Sequence, residues 1–179
     1  MTRFQIAALM ISAGCASDPA SEPGGTISGP IKGKPFVVAD AFALARDHSS
    51  EIVLSSSPDQ CVPAAQQVQH PGETALLLLL SDDDSTGHPI VPPPPGTYTI
   101  NTGSPTLATV EGNILDANCL NNADNDAVAS TGSVVLSGVK NGIFEGTFDV
   151  LMDSGDHITG SFVAPTCTET PNPDPTCQP

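Results

Sequence analysis

Ser133-Val-Val-Leu-Ser-Gly-Val-Lys-Asn-Gly-Ile-Phe-Glu-Gly-Thr-Phe-Asp-Val-Leu-Met-Asp-Ser-Gly-Asp-His-Ile-Thr-Gly-Ser-Phe-Val-Ala164 decides the fold. Asn141-Gly142 sits between two apolar-polar alternating runs, and both residues accept positive φ, so the pair predicts a type I′ hairpin. In the second run Phe144, Gly146, Phe148, Val150 and Met152 share one face, while Glu145, Thr147 and Asp149 share the other. Asp153-Ser-Gly-Asp156 turns the chain again. The third run puts Ile158, Gly160, Phe162 and Ala164 inward and His157, Thr159 and Ser161 outward. Gly146-Thr-Phe148 and Gly160-Ser-Phe162 repeat one Gly-x-Phe step, in which glycine either bends the sheet or leaves space for a facing ring. The result is a three-stranded meander with one apolar face, which needs a second layer to cover it. The expectation is an all-β domain, an antiparallel β-sandwich or partly closed β-barrel ending in this meander.

Working back from the meander, the signals are mostly strand and turn. Residues 34–46 hold β-formers with an Ala-rich end that also suits helix, and Ile52-Val-Leu54 reads as a short buried strand. Residues 62–69 are the best helical candidate. Residues 74–80 contain five consecutive Leu between Gly72 and Asp82-Asp-Asp84, the pattern of a strand buried on both faces. Four prolines, 92–95, make a stiff connector. Residues 96–100 and 106–111 read as further strands.

The chain is 179 residues long, enough for one domain with a sizeable core. Only 14% of residues are charged, against a typical ~25%, and 20 acidic residues face 5 basic ones for a net charge of −15. Such a body is repelled by phosphate-rich surfaces and attracted to cations or basic partners. Composition therefore argues against a nucleic-acid binder, a coiled coil and a multi-span membrane protein.

The N-terminus carries an address. Arg3 precedes the apolar run 4–13, which is too short to span a bilayer and has the layout of a secretory signal. Ser12-Ala13-Gly14 then precede Cys15. This resembles the lipobox of bacterial lipoproteins, and the chain is similar to the small β-rich envelope lipoproteins without assigned function. The family favours Leu where this chain has Ser12. The resemblance implies that residues 1–14 are a signal peptide, that Cys15 is lipidated and that the mature chain begins there. Residues 15–25 would then be a flexible tether, 26–167 the β domain and 168–179 a Pro-rich tail. Ala16 after the cysteine, rather than Asp, implies outer-membrane sorting. Multiple acyl chains give stable anchoring, so the body needs no membrane-binding face of its own. Loss of Arg3 would leave 4 basic residues against 20 acidic ones, a charge of −16.

Cys61, Cys119, Cys167 and Cys177 remain, an even number that predicts two disulfides in an exported chain. Three pairings are open. The short loop between Cys167 and Cys177 favours Cys61–Cys119 with Cys167–Cys177. Cys61–Cys167 is the rival, because Cys167 ends the last strand. Zinc fits poorly, since no C-x₂₋₄-C pair is present.

Two oxygen-rich clusters are weak calcium candidates. Asp82, Asp83 and Asp84, with His88 beyond, form one; the plainer reading is a solvated loop guarding an apolar strand against aggregation. Asn122, Asp124 and Asp126 open like an EF-hand loop, but Ala127 stands where Gly is needed and Ser133 where the bidentate Glu belongs, so a polar loop is the stronger reading. No cofactor is otherwise expected. Ser154, Asp156 and His157 lie along one hairpin tip rather than in a cleft, and no nucleophile elbow or phosphate loop is present. Glu145 and Asp149 read as two exposed acids, and His48, His70 and His88 as loop residues. The expectation is a non-enzymatic envelope lipoprotein whose β domain is a structural or ligand-binding module, with a calcium-dependent binding domain or an envelope hydrolase as alternatives.

Overall fold

The computed structural model describes residues 23–62, 66, 68–84, 86–100, 106–121, 123–169 and 176–178. The signal, Cys15 and Asn122 lie outside the described residues. The meander forms as its alternation predicts. Strand β10 (Ala127–Lys140) pairs with β11 (Ile143–Met152), and β11 with β12 (His157–Pro165), all antiparallel. Asn141 and Gly142 take φ of 53° and 75°, the type I′ hairpin. The register places Gly146 opposite Phe162 and Phe148 opposite Gly160. A Cβ at Gly146 would strike the Phe162 ring and the Val135 carbonyl; one at Gly160 would strike the Phe148 ring and the Thr26 carbonyl. Each glycine therefore seats the phenylalanine of its neighbour strand.

The cover for this face is the same sheet, curled round. With β1 (Gly24–Ser28), β4 (Asp40–Ala45), β5 (Ser50–Ser55), β7 (Thr74–Ser81), β8 (Gly96–Ile100) and β9 (Leu107–Ile114), the strand order is β1-β12-β11-β10-β8-β9-β7-β5-β4. The fold is thus the barrel of the two expected forms, nearly closed, rather than a sandwich. Closure comes where β12 runs out against β4. Thr166 bridges Ala43 in parallel, and the Cys167 N–H donates to the Ala43 carbonyl at 2.7 Å. Tyr98, Leu54, Leu76, Leu78, Leu80, Val150 and Phe162 fill the interior. A small hairpin of β2 (Pro30–Ile31) and β3 (Lys34–Pro35) drives Ile31 into the core over Gly112, where a Cβ would lie 2.8 Å from Ile31 Cγ2.

Two expectations fail. The end of the helical candidate, Val68–Gln69, is instead strand β6, paired in parallel with β13 (Thr176–Cys177) inside the Pro-rich ending; residues 63–65 and 67 lie outside the described residues. The disulfides are Cys61–Cys167 and Cys119–Cys177, not Cys61–Cys119 with Cys167–Cys177. Barrel closure carries Cys167 to β4, beside the loop that follows β5, while the pairing of β6 with β13 brings Cys177 beside Gln69. The Cys119 sulfur lies 3.4 Å from the Gln69 carbonyl.

Candidate functional site

The five-Leu strand builds the site, because both of its faces are apolar. Leu76, Leu78 and Leu80 point into the barrel, and Leu77 and Leu79 point out, half-buried. Register aligns Phe42, Val53 and Leu77 across β4, β5 and β7 on the outer face, and Ser55, Ala75 and Asn113 in the next row. Phe42, Leu44, Val53 and Cys167 form a second buried cluster there, with Leu77 and Cys61 packed against it. Loops cover this outer cluster. The loop after β5 is held by Gln60 N–H donating to Asp40 Oδ2 at 2.7 Å, by reciprocal bonds between Ser56 and Thr74, and by Cys61–Cys167. The loop after β9 is held by Asp116 Oδ1, which accepts from the N–H groups of Asn118 and Leu120, and by Cys119–Cys177.

Between these loops and the sheet lies a cleft of about 290 Å³. Its floor is Phe42, Val53, Ala75 and Leu77; Gln60, Gln69, Asn113 and Asn121 supply neutral amides around it. Glu73 lies at the entry to β7 and, among the described residues, is its one titratable lining residue. The residue is 9% exposed. Glu73 Oε2 accepts from the His70 N–H at 3.0 Å, whereas Oε1 is buried without a hydrogen-bond partner. A second cavity of about 250 Å³ lies on the other side of Gln60, lined by residues including Asp59, Val68 and His70.

Beside the cleft, the Asn113 amide, turned with its nitrogen toward the acids, donates to Glu111 Oε1 and Asp126 Oδ1, both at 3.1 Å. Burial pushes the Glu111 carboxyl up, with repulsion from Asp126 and Glu51 adding to the effect. Asp126 is thus engaged by Asn113, while Asp124 is exposed in the preceding turn.

The aspartate run divides its work. Asp82 is buried, and Asp83 bridges Pro89. Asp84 Oδ1 accepts from the Thr86 N–H and hydroxyl and from the His88 N–H, at 2.8, 2.6 and 3.0 Å. The Thr86 hydroxyl, then the His88 and Thr86 N–H groups, hold the Asp84 carboxyl below the usual carboxylate range. This carboxylate closes its own turn. Burial pushes the Tyr98 phenol up to about 12, with Asp82 nearby adding to the shift, and the phenol donates to the Pro94 carbonyl. Among the described residues, no group of three or more His, Cys, Asp or Glu is placed to hold a metal ion.

Ser154 and His157 engage different carboxylates. The Ser154 hydroxyl donates to Asp156 Oδ2 at 2.8 Å, and His157 Nε2 lies 2.7 Å from Asp149 Oδ1 on the exposed strand face. No nucleophile–base pair results. Glu73, Gln60, Asn113 and Asn121 were not singled out in the sequence. The one local signal was an acid, Glu73, at the mouth of the most apolar strand. Among the described residues no helix is long and apolar enough to cross a membrane. Compared with known proteins, the chain matches no family model, no curated protein and no solved structure.

Proposed function

We propose that this chain is an exported protein held to the cell envelope, at the outer membrane, by lipid on Cys15, and that its barrel is a ligand-binding module rather than an enzyme. The observation that supports the anchor is the use of cysteine. Cys61, Cys119, Cys167 and Cys177 pair with one another, so Cys15 is the one cysteine left for other chemistry. It stands directly after Ser12-Ala13-Gly14 and a short apolar run led by Arg3. Two disulfides also favour an oxidising compartment.

The binding role is supported by the cleft on the outer face, whose walls are held by both disulfides. A hydrolytic site needs an acid and a base, or a nucleophile and a base, converging on one reacting atom. Among the described residues, the cleft offers Glu73 alone as a titratable group. Cells fed an alkyne fatty acid test the anchor. The wild-type chain takes up label and Cys15→Ala does not; equal labelling of the two would remove the lipid from this account.

A further inference from the structure

We propose that the segment Ile90–Pro95 rests on the lipid surface that holds Cys15, and that this contact turns the cleft away from the membrane. The orientation rests on the reading of Cys15 as the lipid anchor and adds which end of the barrel meets the bilayer.

The tether arrives at one end of the barrel. Eight residues, 16–23, separate Cys15 from β1, so the barrel stays within about 30 Å of the anchor. Gly25 pairs with Phe162, Phe162 with Gly146, Gly146 with Leu136 and Leu136 with Gly96. Those four antiparallel steps start β1 and β8 at one level of the sheet and run them the same way. The segment that leads into β8 therefore leaves the barrel at the end where the tether enters. The cleft lies toward the other end. β9 runs parallel to β8, and β5 and β9 are both antiparallel to β7, so the two disulfide-held loops that follow β5 and β9 leave from the far end.

The segment at the tether end presents hydrocarbon. Ile90 and Val91 are 37% and 39% exposed, Pro92, Pro94 and Pro95 are exposed beside them, and no charged residue falls between 89 and 96. It is held outward by the fold. The Ile90 N–H donates to the Asp82 carbonyl at 2.8 Å, Pro93 is buried, and the Tyr98 phenol donates to the Pro94 carbonyl. An apolar run fixed in this way needs little ordering to make a contact. Val37 and Leu120 are more exposed but stand singly, which is ordinary for a protein surface.

The tether selects lipid as the occupant. It keeps Ile90 and Val91 near the headgroups at all times, an effective concentration that a free partner does not match. Apolar side chains leave water at the headgroup–acyl boundary. Asp83 and Asp84, exposed on the arm leading from β7, oppose deep entry, and a chain with 20 acidic residues against 5 basic ones favours a zwitterionic surface over an anionic one. The acyl chains hold the protein; the loop sets its direction.

The chain contains no Trp, so a single introduced indole reports alone. The full protein is purified from membranes, its lipid on Cys15 verified by mass, and placed in vesicles of phosphatidylethanolamine with phosphatidylcholine brominated on its acyl chains. The indole of Ile90→Trp is expected to lose most of its emission relative to unbrominated vesicles, while that of Leu120→Trp, at a site 61% exposed at the far end, keeps its own. Val91→Asp added to Ile90→Trp should restore the emission without changing the melting temperature. Equal quenching at both sites, quenching only in Leu120→Trp or quenching in neither would overturn the proposal. Blue-shifted emission of Ile90→Trp without quenching would also overturn it, by placing protein rather than lipid against the loop. These outcomes with lipid verified on Cys15 leave the anchor standing; an unmodified Cys15 mass would remove the anchor and the orientation together.

Discussion

The meander β10–β12 and the face formed by β4, β5 and β7 line the same barrel but meet the outside differently. Both point an apolar row inward. Outward, the meander shows Glu145, Thr147 and Asp149, whereas the other face shows Phe42, Val53 and Leu77. A polar outer face is finished by water. An apolar one must be covered, and here the cover is two irregular loops, each held by a disulfide. Loops laid over a pleated sheet do not fill every gap, and the 290 Å³ cleft with Glu73 at its edge is what they leave. One side of the barrel is scaffold; the side that needed covering is where a ligand has room.

The largest expected effect falls on the scaffold. Phe148→Ala and Phe162→Ala each remove a ring seated on a glycine of the next strand and should each cost about 3–5 kcal/mol in urea denaturation. Phe42→Ala, in the outer cluster, should cost less and leave the meander intact; an equal cost at all three positions would erase the distinction between the faces. Next come the covers. The Cys61→Ser/Cys167→Ser pair should lose about 2–5 kcal/mol, and Cys119→Ser/Cys177→Ser about 0.5 kcal/mol less on chain entropy alone, since the two bridges span 106 and 58 residues. Amide exchange sharpens this. Without Cys61–Cys167, the amides of β4 and β5 should exchange faster while those of β11 keep their protection. Parallel loss in β11 would mean that the cover and the scaffold open as one unit.

A smaller effect concerns pH. The raised Glu111 carboxyl keeps its proton to higher pH in the folded chain than in the unfolded one. The folded state therefore binds more protons across that interval, and stability falls as pH rises through it. Glu111→Gln should melt at a higher temperature than wild type at pH 7, the two converging below about pH 4. A lower midpoint for the variant at neutral pH would contradict this. The smallest effect is from calcium. Because Asp84 Oδ1 is already taken by Thr86 and His88, Ca²⁺ and a chelator should give the same melting temperature; a clear rise with Ca²⁺ would return the aspartate loop to consideration.

The parts of the fold legible in the sequence are those fixed by neighbours along the chain. Asn141-Gly142 sets its hairpin through two positive φ angles, and alternation from 143 to 152 assigns every inward side chain of β11. The Gly-x-Phe repeat offered two readings, a bend in the sheet or room for a facing ring, and the register between adjacent strands decides for the ring. Leu76–Leu80 signalled two buried faces, and the second is the outer cluster. What escaped depends on closure. Which thiols pair is decided when β12 comes round to Ala43, a contact no local pattern encodes. Val68 and Gln69 end a stretch that resembles a helix in composition, yet pairing with Thr176 and Cys177 makes these two residues strand. The cleft escaped for the same reason: Glu73, Gln60 and Asn113 meet only after loops distant in sequence fold over one face. The weak calcium candidates were chosen by spacing, which does not reveal that Asp84 Oδ1 accepts three bonds within its own turn.

The tether is the claim on which the placement of this molecule rests, and mass spectrometry of the N-terminal peptide from membrane-purified protein tests it most directly. The account predicts a peptide beginning at Cys15 that carries a diacylglycerol on sulfur and an acyl group on nitrogen. A peptide beginning at Met1, or a Cys15 of unmodified mass, would contradict it.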